Sequence, residues 1–162
     1  MKDILFRDGS GVFGFRAAAV VVENGCVLLQ RPDDDPGYAF PGGHVSFGEA
    51  CEATLKREFQ EEMGAQLAVE DMLWAAELFF PWGDRPCHQL CLYFRASLTD
   101  STTPRSGSFR GVEEMEGRRM RMGFYWVPLT QCTSPDFPIY PEQCRSLLTR
   151  LNEGASHFIY RE

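Results

Sequence analysis

The sequence predicts an α/β protein, an α/β/α sandwich in which two helices lie on opposite faces of a mixed β-sheet. Apolar, often β-branched runs bounded by turn-forming residues indicate several strands. Residues 47–63 and 141–152 have helical features, with apolar residues at steps of four in the first and a proline near the start of the second. With 162 residues and 44% apolar content, we expect a single domain spanning residues 1–162.

The strands are expected to follow the turn signals along the chain. A tight turn at residues 23–25 joins the first two strands, and residues 100–118 are polar enough to predict a long, functional loop. The expected strands are 15–22, 26–30, 66–80 (with a bend), 87–98, 123–127 and 157–161.

The helix over residues 47–63 has two distinct faces. Cys51, Leu55, Phe59 and Met63 recur at steps of four and form an apolar stripe that can pack on a sheet. Gly64 follows directly, and a glycine at this point ends a helix in the left-handed conformation. One side of the helix is therefore expected to be buried.

The other side of this helix gathers negative charge. Glu58, Glu61 and Glu62 stand at i, i+3 and i+4, hence on one face. Their mutual repulsion is relieved by a bound cation, and carboxylate oxygens select Mg²⁺ or Mn²⁺ over softer metals. Gly42 and Gly43 precede the helix and let backbone groups approach a metal or an anion closely.

The same stretch resembles the signature of the Nudix hydrolases, the MutT-like family, over residues 43–65. The residues that match the signature are Gly43, Glu49, Arg57, Glu58, Glu61, Glu62 and Gly64. The preceding Phe40-Pro41-Gly42 is similar to the family's entrance to this box, whereas Ala65 is smaller than the usual aliphatic residue. The resemblance implies a Nudix-type α/β/α sandwich and a reaction on a diphosphate.

The resemblance also implies roles for individual residues of the box. It assigns the carbonyl of Gly42 and the glutamates Glu58, Glu62 and Glu61 to the metal, and Arg57 to holding a glutamate in place. Considered by spacing alone, Arg57 stands at i, i+4 to Glu61 and can pair with it. Glu49 lies near the helix start, where capping of backbone amides and contact with the metal through water both remain open.

The general base has two sources among relatives, which leaves two predictions for this chain. One is the box glutamate Glu61. The other is a glutamate from a loop that closes over the substrate, and Glu113, Glu114 and Glu116 in the expected long loop are the candidates.

Substrate recognition must come from residues outside the box. Arg16 and Arg31 flank the first hairpin, and guanidinium groups match phosphate oxygens. Tyr38, Phe80 and Trp82 are candidate faces on which a base can stack.

Composition restricts the partners. The net charge of −7 argues against a general nucleic-acid surface. No long apolar segment or secretory signal is evident, and the six cysteines form no metal-binding or CxxC pattern, so we expect a cytoplasmic protein with reduced thiols and no membrane partner. The apolar residues within 1–14 are expected either to pack across a homodimer or to cover their own sheet edge.

The sequence thus predicts Mg²⁺- or Mn²⁺-dependent hydrolysis of a diphosphate bond. The expected substrate is a nucleoside diphosphate linked to another group, as in nucleotide sugars, ADP-ribose or nucleoside triphosphates. The alternative is a nucleotide-sensing domain of the same fold that has lost turnover. The complete set of box carboxylates counts against that alternative, because a sensor has no need to keep every metal ligand.

Overall fold

The computed structural model of this protein describes residues 2–115 and 117–162, and for residues 113–115 it describes the backbone only. The first part of the chain forms strands β1 to β4 and the one long helix among the described residues. Their bounds are β1 Leu5–Arg7, β2 Val12–Glu23, β3 Cys26–Pro32, β4 Gly42–His44 and α1 Cys51–Met63. The later elements are β5 Leu67–Trp82, β6 Arg85–Leu98, β7 Ser108–Met115, β8 Arg118–Pro128, α2 Leu129–Cys132, α3 Cys144–Leu147 and β9 Ser156–Arg161.

The strands form one mixed sheet in the order β7-β8-β3-β2-β6-β5-β9. Strand β2 runs parallel to β6, and β5 runs parallel to β9, whereas the other pairs are antiparallel. Along its other edge β2 changes partner, pairing with β1, then β4, then β3. This arrangement holds β4, and with it the start of the Nudix-like box, at the centre of the sheet.

Two apolar clusters cover the two faces of the sheet, which confirms the predicted sandwich. Helix α1 inserts Leu55 and Phe59, both fully buried, among small residues of β2 on one face. On the other face, buried residues of α3 and of the segment before it pack against Trp74 and Tyr93. Strand β1 pairs with β2 of its own sheet. The N-terminal residues therefore cover their own sheet edge, which was one of the two expectations for them.

Two boundaries of the predicted helices are wrong. Helix α1 begins at Cys51 and not near Phe47, because Gly48 adopts a left-handed φ of 82° that interrupts a helix. The expected helix over 141–152 contains only α3. Most backbone hydrogen bonds around α3 connect residues three apart, and the hydroxyls of Ser146 and Thr149 donate to carbonyls three residues earlier. The segment therefore forms tight turns instead of a continuous helix.

The expected loop over 100–118 is also wrong in part. Residues 108–115 form β7, which pairs with β8 from Ser108↔Tyr125 to Met115↔Arg118. The ring of Phe109 stacks on that of Phe124 at 5.3 Å between centroids. Cross-strand packing therefore forms this strand in spite of its polar composition. The predicted bend in the strand after α1 is confirmed by register shifts between Val69 and Trp74.

All six cysteines are free thiols. No helix in the described part of the chain is long and apolar enough to cross a membrane.

Candidate active site

Two glycines bring strand β4 into close contact with its neighbours. Gly42 pairs with Ala18 and Gly43 with Ala17. A β-carbon on residue 42 would lie 2.1 Å from the carbonyl oxygen of Ala17, and one on residue 43 would lie 2.2 Å from the carboxyl carbon of Glu58. Residue 42 cannot accept a side chain, and a side chain at residue 43 would displace the Glu58 carboxylate, so the backbone of β4 lies directly against that carboxylate.

Arg57 connects the acidic face of α1 to the segment before the helix. Its Nε and Nη2 donate to the two carboxylate oxygens of Glu49 at 2.9 and 3.0 Å, a bidentate contact. Its Nη1 donates to Glu58 at 2.7 Å and to Glu61 at 3.3 Å. Nη2 also donates to the carbonyl oxygen of His44 at 3.4 Å. The pairing with Glu61 expected from the spacing is present, but the shorter contacts go to Glu49 and Glu58.

Glu49 accepts hydrogen bonds from both sides of its turn. Besides Arg57, its donors are the hydroxyl of Thr54 at 2.8 Å and the amide of Ser46 at 3.4 Å. The N-cap residue of α1 is Ala50, which provides no side-chain cap. Within the described part of the chain, Glu49 therefore contacts Arg57 and does not cap the first turn of α1. Its contact with a metal through water stays a prediction.

The carboxylates of the box have opposite electrostatic environments. Hydrogen bonds from Arg57, supplemented by Thr54, hold the pKa of Glu49 below its usual range. Burial raises the pKa of Glu58, although Arg57 opposes this effect. Glu62, one helical turn further on, is only 5% exposed. Burial disfavours the charged form of a carboxylate, and a cation bound nearby restores it.

The donor atoms around Glu58 fit a hard divalent cation. The carboxylates of Glu58 and Glu62 and the backbone carbonyl of Gly42 are oxygen groups of the kind that could hold such a cation, and residue 43 has no side chain to obstruct the space before Glu58. Glu61 is more remote, with 60% of its side chain exposed. Among the residues whose side chains are described, no three His, Cys, Asp or Glu groups are already clustered as a metal site. Glu58 and Glu61 are held instead by Arg57.

A cavity of about 520 Å³ opens beside this cluster. Most of its apolar lining belongs to the core on the α3 side of the sheet, as for Ala18, Phe40 and Tyr93. Its volume lies within the range of small-molecule sites. The cavity is therefore large enough for part of a nucleotide.

Arg16 lies between this cavity and the carboxylate cluster. It lines the cavity, donates to the carbonyl of Phe40 at 3.2 Å, and its charge favours the ionised form of Glu58. His44 lines the cavity nearby, and burial, with a further contribution from Arg16, lowers its pKa to about 4, so its ring is neutral at pH 7. One cation thus faces both the cavity and the box.

The three predicted stacking residues all line the cavity. Phe80 and Trp82 stand on β5 with stacked rings 6.4 Å apart, and Trp82 lies 5.9 Å from the ring of His44. Tyr38 is held from the other side, because its amide donates to Pro138 and its carbonyl accepts from Tyr140, both at 2.8 Å.

Arg31 is placed differently from the other predicted substrate residues. It is not among the residues that line the cavity, and its guanidinium lies over the rings of Tyr38 and Tyr125 at 4.8 and 5.2 Å. It also donates to the Tyr125 hydroxyl at 3.5 Å. In this arrangement Arg31 supports Tyr38 and does not project into the cavity.

Sequence reasoning missed two carboxamides of the cavity wall. Gln30 on β3 and Gln89 on β6 are 6% and 5% exposed and both line the cavity. The signal for Gln30 was a polar residue in an otherwise apolar strand. Such a residue marks either a hydrogen-bonded core position or a ligand contact.

The candidate general bases of the expected loop are only partly described by the structure. The backbones of Glu113 and Glu114 belong to β7, whereas their side chains and all of Glu116 lie outside the described residues. Earlier in the same strand, a β-carbon on Gly111 would lie 2.3 Å from the backbone oxygen of Glu62. Strand β7 therefore runs against the end of α1.

Together, the mixed sheet, the acidic face of α1 and the carboxylates held by Arg57 form one site beside the cavity. A family model described as the NUDIX domain matches residues 13–144. The chain therefore belongs to the Nudix family.

Curated relatives and solved structures agree with this assignment. Over 58 residues the chain is 38% identical to the nucleoside triphosphatase NudI of Salmonella arizonae, a match that covers 33% of this chain and 41% of that protein. The MutT protein from Bacillus halodurans has a similar fold, with a TM-score of 0.61 at 19% identity over 91% of this chain and 90% of that one. An ADP-ribose pyrophosphatase from Streptococcus suis gives a TM-score of 0.53 at 13% identity, over 91% and 98% of the two chains.

Proposed function

We propose that this protein hydrolyses a diphosphate bond in a nucleoside diphosphate linked to another group, with Mg²⁺ or Mn²⁺ as cofactor. The observation that carries the proposal is the cluster of carboxylates around Arg57, which lies next to a cavity of about 520 Å³ with Arg16 between them. An anion bound by Arg16 would have one end in the cavity and the other at the box.

The metal would be held by Glu58, Glu62 and the Gly42 carbonyl, with Glu61 as a further ligand. When bound, a divalent cation neutralises charge on the diphosphate and activates water. Arg57 keeps Glu58 in place against Gly43 and is itself oriented by Glu49. Arg57 and Glu49 therefore act as positioning residues.

The general base is proposed to be Glu61 or one of Glu113, Glu114 and Glu116. Glu61 has an exposed carboxylate and only a long contact to Arg57, so it is free to face a water molecule. Glu114 is the alternative, because β7 runs against the end of α1 at Gly111. Single replacements of Glu113, Glu114 and Glu116 by Gln distinguish them. A variant that loses turnover and retains metal affinity identifies the base, whereas wild-type turnover in all three leaves Glu61.

The substrate side of the proposal uses the lining of the cavity. Arg16 would contact a phosphate, and Tyr38, Phe80 and Trp82 would pack against the flat parts of the substrate. Arg31 would act indirectly by holding Tyr38. Similarity to a nucleoside triphosphatase and to an ADP-ribose pyrophosphatase supports a nucleotide as the class of substrate.

The setting of the reaction is part of the same proposal. Six free thiols suit a reducing compartment, and we place the protein in the cytoplasm. The exposed rings of Phe6, Phe13 and Phe47 adjoin one another and are compatible with a homodimer. Light scattering at several concentrations measures the oligomeric state directly.

The test is release of phosphate or nucleoside monophosphate from a substrate panel under Mg²⁺ and under Mn²⁺. The panel contains ADP-ribose, nucleotide sugars, dinucleoside polyphosphates, nucleoside triphosphates and NADH. A chelator should abolish the activity, and added metal should restore it. Absence of turnover on the whole panel would favour the nucleotide-sensing alternative.

Variants of the box assign any activity to this site. Glu58→Gln and Glu62→Gln should each lower kcat by about 100-fold or more, since each removes a charge from the metal site. The matched control is Glu52→Gln, which changes an exposed glutamate of the same helix that pairs with Lys56. Rates near wild type in both test variants would refute the metal assignment.

A further inference from the structure

We infer that Gln30 recognises the base of the substrate by a hydrogen bond to its edge. This inference rests on the proposed function, because it names the residue by which the same cavity selects a nucleotide. No residue of the box takes part in it.

The side-chain oxygen of Gln30 lacks a hydrogen-bond donor among the described residues. Gln30 is 6% exposed on β3, and its Oε1 is fully buried. Its backbone is satisfied, since its amide and carbonyl bond those of Ala39 at 2.8 and 2.9 Å. A buried acceptor without a donor destabilises a fold. A turn of the terminal carboxamide would bring this oxygen to the cavity, and a donor on a ligand there would favour that turn.

The surroundings of Gln30 suit a flat heterocycle. Ala39 lines the cavity beside it and leaves depth, while Phe80 and Trp82 provide aromatic surfaces of the same cavity. Gln89 contributes a second buried carboxamide from β6. A purely apolar group would leave the carboxamide of Gln30 unsatisfied.

The chemistry of a carboxamide matches the edge of a base. The carboxamide presents an acceptor oxygen and a donor nitrogen side by side. It can therefore form two hydrogen bonds with adjacent donor and acceptor atoms of a base. Arg16 lines the same cavity, and its charge acts on Glu58. A nucleotide whose base contacts Gln30 would therefore have its diphosphate near Arg16 and Glu58.

The test compares binding of nucleoside monophosphates with binding of ribose 5-phosphate, which lacks the base. The full chain with Mg²⁺ is titrated calorimetrically with AMP, GMP, CMP, UMP and ribose 5-phosphate, none of which contains a diphosphate bond. We expect at least one nucleotide to bind more tightly than ribose 5-phosphate. In Gln30→Leu the affinity for that nucleotide should fall about tenfold or more, with ribose 5-phosphate unchanged.

A matched control and a stability measurement separate recognition from structure. Gln131→Leu makes the same chemical change at an exposed position of α2 and should alter neither affinity. The thermal midpoint of ligand-free Gln30→Leu should equal or exceed that of the wild type, because the variant removes an unsatisfied buried group. A lower midpoint would show that Gln30 has a structural partner and would overturn the inference.

The binding results are also decisive by themselves. If ribose 5-phosphate binds as tightly as all four nucleotides, or if Gln30→Leu keeps the selectivity of the wild type, Gln30 does not recognise a base. Base-selective binding without any metal-dependent turnover would instead contradict the proposed hydrolysis and leave the inference on Gln30 standing.

Discussion

The carboxyl carbon of Glu58 lies 2.2 Å from the point that a β-carbon on Gly43 would occupy. Strand β4 is fixed by its pairing with β2, and α1 is fixed by Leu55 and Phe59 packed on the same sheet. The absence of a side chain at residue 43 therefore determines where the carboxylate of the candidate metal site lies.

Replacing Gly43 by alanine should disable the site without unfolding the protein. The added methyl group would displace the end of the Glu58 side chain, because the contact is with its carboxyl group and not with backbone. We expect kcat to fall about 100-fold, the scale of a displacement of about 1 Å in a catalytic group. Steady-state rates under Mg²⁺ measure the loss, and the thermal midpoint reports the fold.

Gly9→Ala is the matched control, because a β-carbon there meets no atom within 4 Å. It should leave kcat and the thermal midpoint unchanged. Wild-type turnover in Gly43→Ala would show that Glu58 does not need its present position.

Local spacing was sufficient to predict α1 and its faces. Leu55 and Phe59 are buried as the apolar stripe requires, and Gly64 ends the helix with a left-handed φ of 68°. These features depend on residues within one or two helical turns, whose geometry is set by the helix itself. The contact between Arg57 and Glu49 was not predicted, because it depends on the turn at Gly48.

Features that depend on distant residues could not be predicted from spacing. Strand β7 forms because β8 offers it a partner, and its sequence alone has the composition of a loop. The cavity requires β3, β6 and the segment near Tyr140 to meet, so the roles of Gln30 and Gln89 appear only in the folded chain. The position of Arg31 also depends on distant residues, since its guanidinium lies over the rings of Tyr38 and Tyr125 and not along the cavity.

The pair formed by Arg57 and Glu49 should show a measurable coupling energy. Both side chains are mostly buried, at 23% and 10% exposure, and the contact is bidentate. A double-mutant cycle with Glu49→Gln and Arg57→Lys should give a coupling of about 1–3 kcal/mol in the free energy of unfolding. Urea unfolding of the four proteins without added metal measures it.

The same cycle on Lys56 and Glu52 serves as a comparison, because that pair is exposed on the same helix. Its coupling should be at most about 0.5 kcal/mol. Equal couplings in the two cycles would argue against a positioning role for Glu49.

Gly111→Ala should destabilise the protein by displacing β7 from α1. A β-carbon at residue 111 would lie 2.3 Å from the backbone oxygen of Glu62 and 2.5 Å from the ring of Phe124. Overpacking against backbone cannot be relieved by a rotamer change, so we expect a loss of about 1–3 kcal/mol in the free energy of unfolding. Urea unfolding is the measurement, and unchanged stability would mean that β7 lies further from α1.

Asp100 should make stability depend on pH in the acid range. Burial alone would raise its pKa, but hydrogen bonds from Thr103, Gln66 and Thr102 outweigh this effect and hold the pKa well below its ordinary value. The bonds to the amide and hydroxyl of Thr103 are both 2.7 Å long. Because the folded state prefers the ionised form, this stabilisation is complete above the unfolded pKa of about 4 and is lost as the pH falls toward the folded pKa.

Asp100→Asn should therefore lower the free energy of unfolding by about 1 kcal/mol at pH 7. The difference from the wild type should shrink as the pH falls below about 4, since protonated Asp100 no longer accepts these bonds as an anion. Urea unfolding at pH 7, 4 and 3 measures the trend, with Asp136→Asn, a change at an exposed aspartate between α2 and α3, as control. If the difference in the free energy of unfolding stays constant over this pH range, the charge of Asp100 does not cause it.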